Sequence, residues 1–185
     1  QKNGRTEGQP PRICKVKTGP KIVAGYYTVA RQVFPGKKIV ALDILDSKNV
    51  AGAVSYVKAF RKVAKPTPKI WGIHNYSDTN RGSTSRTKAL VKAIGNPKAE
   101  VWLTETGGQL RLNGANFGQA EAAKALKCMF SMPKLFPQIK RLYIYQFHGA
   151  RADEAFDAGL VDNTLTKKRK GYTVVQKRQS AKCKP

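Results

Sequence analysis

Three short apolar runs begin at Lys38, Lys69 and Glu100, each 31 residues after the one before. That interval is the length of one βαβ unit, a strand and a helix with their two connections. The runs are K-I-V-A-L-D-I, K-I-W-G-I-H-N-Y and E-V-W-L-T-E-T, bulky and too short for helices, which suits strands covered on both faces. A fourth, I-K-R-L-Y-I-Y-Q-F, occupies 139–147. Helical patterns separate them. From Pro20, at home in a first helical turn, Ile22, Val23, Tyr26, Val29, Ala30 and Val33 recur until Pro35-Gly36. Asp46 or Ser47 is expected to cap a helix whose face is Val50, Val54, Val57 and Phe60. Ser83 or Ser85 opens another through Leu90, Val91 and Ile94, closed by Gly95-Asn96-Pro97. One more carries Ala122, Leu126, Met129 and Phe130, and a short last helix is expected near Tyr172 to Lys177. A hairpin cannot hold an intervening helix, so the strands are parallel and joined by right-handed crossovers.

Polar groups collect at the carboxyl ends of all four strands: Asp43, then His74-Asn75-Tyr76, then Glu105, then Gln146. An open doubly wound sheet gathers its ligand groups at one switch point, whereas a barrel spreads them over every strand end. The expected fold class is therefore α/β, a (β/α)8 TIM barrel of which this chain carries the second half. The expected organisation is one domain over 1–185, truncated at its N-terminus, with a loop over 1–17 and a basic tail over 177–185. The concave inner face of a half-barrel is open, which predicts self-association or a missing N-terminal half. No G-x-G-x-x-G or Walker-type loop follows any strand, so nucleotide binding has no phosphate loop.

With 41% apolar residues, the chain has the composition of a folded protein. Its net charge of +24 would attract polyanions, but Lys and Arg are scattered and the one dense run is Lys167 to Lys170. The aromatic-basic interleaving of an RNA-binding strand is absent, so no specific nucleic-acid partner is expected. No apolar run approaches the roughly 20 residues of a membrane span. Cys14, Cys128 and Cys183 share no ligand spacing with His74 or His148, so no metal and no cofactor is expected. Three cysteines leave one unpaired within the chain and do not decide the redox compartment.

W-L-T-E-T-G-G, preceded by I-W-G-I-H-N-Y and followed by L-Y-I-Y-Q-F and F-D-A-G-L-V-D, resembles the second half of TIM-barrel retaining glycoside hydrolases. The resemblance is to the clan whose two catalytic glutamates end the fourth and seventh strands, cellulase-like and xylosidase-like, and it covers most of 18–175. It implies a carbohydrate substrate, a secreted or cell-envelope location, and Glu105 as nucleophile. His74 or Tyr76 would hydrogen-bond Glu105, and Asp43, His74, Asn75, Tyr76, Gln146 and Phe147 would form the sugar-binding set. The family's acid/base follows an asparagine, and this sequence has no Asn-Glu pair. Glu7, after Thr6, falls nearest that position, so the expected acid is either Glu7 or a residue upstream of Gln1. A non-catalytic carbohydrate-binding half-barrel and a basic nucleic-acid-associated protein are the alternative readings. Trp71 and Trp102 are expected in the core, and Asp78 and Arg81 are expected to pair.

Overall fold

The computed structural model describes residues 19–184. The loop expected over 1–17, Glu7 and Cys14 lie outside them. The elements run α1 (Pro20–Val33), β1 (Asp43–Leu45), α2 (Val50–Val63), β2 (Ile70–His74), α3 (Tyr76–Arg81), α4 (Ser85–Ile94), β3 (Glu100–Thr106), β4 (Arg111–Leu112), β5 (Ala115–Asn116), α5 (Gly118–Leu135), β6 (Ile139–Ile144), β7 (Phe156–Asp157) and α6 (Lys170–Gln176). The main sheet has four parallel strands in the order β1-β2-β3-β6, and β5-β4-β7 form a small antiparallel sheet in the loops above it. The 31-residue spacing thus marks true βαβ units.

Alternation along the strands sorts the core. Trp71, Ile73, Val101 and Leu103 face the helices and are buried against Phe60, Leu90, Ile94 and Met132. A second cluster, Leu126, Met129, Leu160 and Val174, ties α5 to α6. The opposite face of the sheet carries Trp102 under the Arg141 guanidinium, with Tyr143 6.0 Å away. No helix among the described residues covers that face, and Leu45, Tyr143 and Tyr145 remain 51%, 42% and 43% exposed. Trp71 and Trp102 are buried, as expected.

Several local expectations need correction. α1 buries Ala24 and Tyr27, whereas Ile22, Tyr26, Val29 and Val33 point away from the core. The first strand does not end at Asp43: its ladder runs from Asp43 to Leu45, preceded by the bonds Ala41 N to Ile70 O and Gly72 N to Leu42 O. The second strand stops at His74, and Tyr76 begins α3. The cap of α2 is Asn49, whose Oδ1 accepts from Gly52 N, because Asp46 is engaged elsewhere. The loop after β3 contains the β4–β5 hairpin.

The tail is fastened. Cys128 of α5 and Cys183 form a disulfide, and Lys184 N donates to Gly82 O at the end of α3. The glycines closing β3 are there for space. A Cβ on Gly107 would stand 2.2 Å from Tyr145 O, and one on Gly108 would stand 2.1 Å from Ala122 O. Side chains at these positions would push β3 away from the exit of β6 and from α5.

Candidate active site

Glu105 lies one residue before the end of β3, an interior strand of the sheet, with its side chain 34% exposed. The β2–β3 register shifts between Gly72 and His74, so His74 comes opposite Glu105. That irregularity sets both side chains on the open face. The Tyr76 hydroxyl donates to Glu105 Oε1 at 3.0 Å. His74 Nδ1 stands 3.6 Å from Glu105 Oε2, close enough for electrostatic attraction but too long for a hydrogen bond. On its other side, His74 Nε2 is 2.9 Å from Asp43 Oδ2.

Asp43 also accepts from the hydroxyl of Thr104, although β2 lies between their strands. Gly72 makes this contact accessible. A Cβ there would lie 2.7 Å from Asp43 Oδ1 and 3.0 Å from Thr104 Oγ1. The result is a continuous polar chain, Thr104–Asp43–His74–Glu105–Tyr76, across three strands. Thr104 and Gly72 were not foreseen, yet a glycine inside a bulky strand is the signal of such a close approach.

Tyr76 is held from behind. Its ring packs edge-on against Phe156 at 5.5 Å, and Phe156 in turn meets Tyr145 at 5.9 Å. Burial pushes the Tyr76 hydroxyl well above the usual phenol range, and the negative charge and hydrogen bond of Glu105 push it further. It therefore remains a donor to Glu105. Beneath it, Asp46 is fully buried at the exit of β1, and its two carboxylate oxygens accept from Ser77 N at 2.8 Å and Asp78 N at 2.7 Å. These are first-turn amides of α3, so a residue of another strand caps this short helix. Asp78 repeats the device for α4 by accepting from Thr87 N at 2.6 Å, and it pairs with Arg81 at 3.1 Å as expected.

Burial pushes the Asp46 carboxyl up to about 6, assisted by nearby Asp78 and opposed by the two amides and Arg86. An acid whose folded-state pKa is raised contributes stability that is complete below its unfolded value near 4 and is lost as pH rises through the folded value. Between pH 4 and pH 7.5 the Asp46 contribution is expected to fall by roughly 2 kcal/mol. Urea unfolding of the wild type and Asp46→Asn across that range measures it, as a stability difference that shrinks with rising pH. A difference that stays flat contradicts the assignment.

The remaining expected site residues divide. Asn75 is fully buried, and its amide has no hydrogen-bond partner among the described residues. It is not on the open face, because the strand ends at His74 and the next side chain turns inward. Gln146 and Phe147 follow the end of β6, where Tyr145 N donates to Thr106 O. Gln146 makes no side-chain hydrogen bond among the described residues, and Phe147 is 59% exposed. A cleft of about 560 Å³ opens behind Tyr76, walled by Leu45, Leu112, Phe117 and Phe156. Among the described residues, no group of three or more His, Cys, Asp or Glu side chains is arranged to hold a metal ion.

A parallel sheet wrapped on one face by its crossover helices, with polar groups on the strand exits, is the architecture from which TIM barrels are built. Solved structures agree on the class. The chain is similar to native xylanase 10B of Thermotoga maritima, with a TM-score of 0.65 and 12% identity over 86% of this chain and 52% of that one. An exo-β-1,3-glucanase of glycoside hydrolase family 128 from Aureobasidium namibiae gives 0.63 and 12%, over 88% and 62%. A family 17 β-1,3-glucanosyltransferase from Rhizomucor miehei gives 0.58 and 14%, over 82% and 56%. These neighbours are TIM-barrel glycoside hydrolases, so the fold is glycoside-hydrolase-like. The chain spans little more than half of their lengths. No protein-family model and no curated protein matches it.

Proposed function

We propose that this chain is the nucleophile-bearing half of a retaining glycoside hydrolase acting on a poly- or oligosaccharide. The observation that carries the reading is the Glu105–Tyr76 contact, a carboxylate at a strand exit aimed by a phenol that stays protonated. In such a reaction Glu105 bonds to the anomeric carbon as the glycosidic C–O bond breaks. Water then cleaves the ester and restores the carboxylate. The departing alkoxide takes its proton from a second carboxyl about 5 to 5.5 Å from the first. Glu7 is proposed for that role. His74 and Asp43 hold the other flank of Glu105, with Asp43 open to sugar hydroxyls, and Gln146 and Phe147 form the rim. The disulfide supports an extracytoplasmic location, where such bonds persist.

Tyr76→Phe tests the arrangement. A hydrogen bond to a charged group is worth about 1.5–3 kcal/mol, so turnover is expected to fall roughly 10- to 100-fold. An activated aryl glycoside is the right substrate, because its leaving group departs without a proton donor. Unchanged turnover in a folded Tyr76→Phe protein would sink the reading. The exposed aromatic residues Tyr143, Tyr145 and Phe147 favour a second reading, a non-catalytic carbohydrate-binding half-barrel. Sugar binding without hydrolysis of any activated glycoside would select it.

A further inference from the structure

Two cavities share a wall along α3. The cleft behind Tyr76 is bounded by Asn80, Arg81 and Glu121, and the same three residues bound a smaller cavity of about 210 Å³ that continues toward the tail. α3 runs beside both, from Tyr76, which donates to Glu105, to Gly82, whose carbonyl accepts from Lys184 N. That is about 9 Å of helix. A continuous furrow therefore runs from one side chain away from Glu105 to the fastened tail. Its charge is one-sided at the tail end, where Arg81, Lys124 of α5, Lys182 and Lys184 line the smaller cavity against one carboxylate, Glu121. These cations are distant in sequence. The Cys128–Cys183 disulfide brings them together by setting Lys182 and Lys184 beside α5. Lys124, Lys182 and Lys184 are exposed and form no ion pair among the described residues, and Arg81, paired with Asp78, keeps 47% of its side chain exposed. Isolated surface lysines are ordinary, but like charges gathered round a concavity focus a field that draws in anions.

The cleft adds an independent observation. Gln109 in its wall is only 9% exposed, its backbone N donates to Asn80 Oδ1 at 2.7 Å, and its side-chain amide has no hydrogen-bond partner among the described residues. Buried amides are normally paired, so an unpaired one lining a cleft is suited to a polar ligand. Phe156 and the 43% exposed Phe117 supply apolar walls for ring faces. Lys48 and Arg86 carry the positive lining into the cleft, where the Asp46 carboxylate is taken up by the amides of α3.

We propose that the cleft and furrow bind an acidic polysaccharide, with neutral ring faces and hydroxyls meeting Phe117 and Gln109 in the cleft and anionic sugar units lying along Arg81, Lys124, Lys182 and Lys184. The choice of a saccharide among polyanions rests on the proposed role of Glu105, since the furrow opens into the cleft beside Tyr76; the charge of the ligand rests on the furrow alone. Carboxylate and sulfate groups both satisfy lysine side chains, which act as point charges. Binding held by exposed cations weakens as salt rises.

Isothermal titration calorimetry of the full chain carrying Glu105→Gln reads binding with hydrolysis removed. The probes are hexagalacturonate and sulfated maltohexaose, each beside its uncharged counterpart, the methyl ester and plain maltohexaose, in 0.05 and 0.3 M NaCl. The expected result is that a charged hexamer binds at least tenfold more tightly than its uncharged counterpart and weakens as salt rises, and the one that does so identifies the anionic group. Replacing Lys124, Lys182 and Lys184 together by glutamine should lower its affinity about tenfold or more with unchanged circular dichroism. The same loss of charge at the exposed Lys58, Lys62 and Lys88 of α2 and α4 should change it less than about threefold. Equal binding of charged and uncharged hexamers overturns the proposal, as do equal effects of the two triple variants. So does hexauridylate binding more tightly than either charged hexamer through the same lysines, which makes the furrow a nucleic-acid surface. Failure of Glu105 as nucleophile is read separately, by turnover of the aryl glycoside, and does not alter these titrations.

Discussion

Glu105→Gln is expected to lower turnover of an activated aryl glycoside on the order of 10⁴-fold, about 5 kcal/mol of transition-state stabilisation, while leaving the fold intact. Glutamine keeps the shape and the acceptor for the Tyr76 hydroxyl but cannot form the glycosyl ester. The backbone around it is fixed by β2 and β6 on either side and by Gly107 and Gly108 packed against Tyr145 O and Ala122 O. The side-chain change therefore has little reason to disturb the sheet. Steady-state kinetics and circular dichroism on the same preparation separate the two effects. Turnover within tenfold of the wild type contradicts a nucleophilic role.

The second large effect is on stability. Replacing Cys128 and Cys183 together by serine removes a cross-link that spans 55 residues, including β6, β7 and α6. Chain-entropy reasoning puts its contribution at about 4 kcal/mol. The loss is sharpened locally, because the tail runs beside α5 through Ala181 N to Lys127 O and reaches α3 through Lys184 N to Gly82 O. α3 is the helix that presents Tyr76. Urea unfolding of the oxidised wild type against the double variant measures the change, and a difference below about 1 kcal/mol would contradict a structural role.

What the sequence disclosed was local or periodic. The 31-residue spacing announced the βαβ units, and the T-E-T-G-G ending of β3 announced a carboxylate at a strand exit. The contact from Tyr76 to Glu105 followed from placing the two on neighbouring exits. What stayed hidden depends on partners distant in sequence. Asp46 reads as the cap of the helix beside it, but its carboxylate serves amides 31 and 32 residues further on. The apolar pattern of α1 reads as a core face, yet the core takes Ala24 and Tyr27 and leaves the larger side chains outside. Periodicity identifies an apolar face without saying what covers it. Asn75 was drawn into the site by its neighbours His74 and Tyr76, and it lies inside because the end of β2 decides which side chains turn inward. Cysteine pairing has no local signal at all.

Covalent trapping tests the central claim most directly. A panel of dinitrophenyl 2-deoxy-2-fluoroglycosides has a leaving group that needs no acid, and the fluorine slows hydrolysis of the glycosyl ester, so the intermediate accumulates on its carboxylate. Peptide mapping by mass spectrometry then reads the site. The account predicts one adduct, on the peptide containing Glu105, and none on the Glu105→Gln protein. A label on Asp43 or Glu7 with Glu105 unmodified, or sugar binding with no label anywhere, would contradict it.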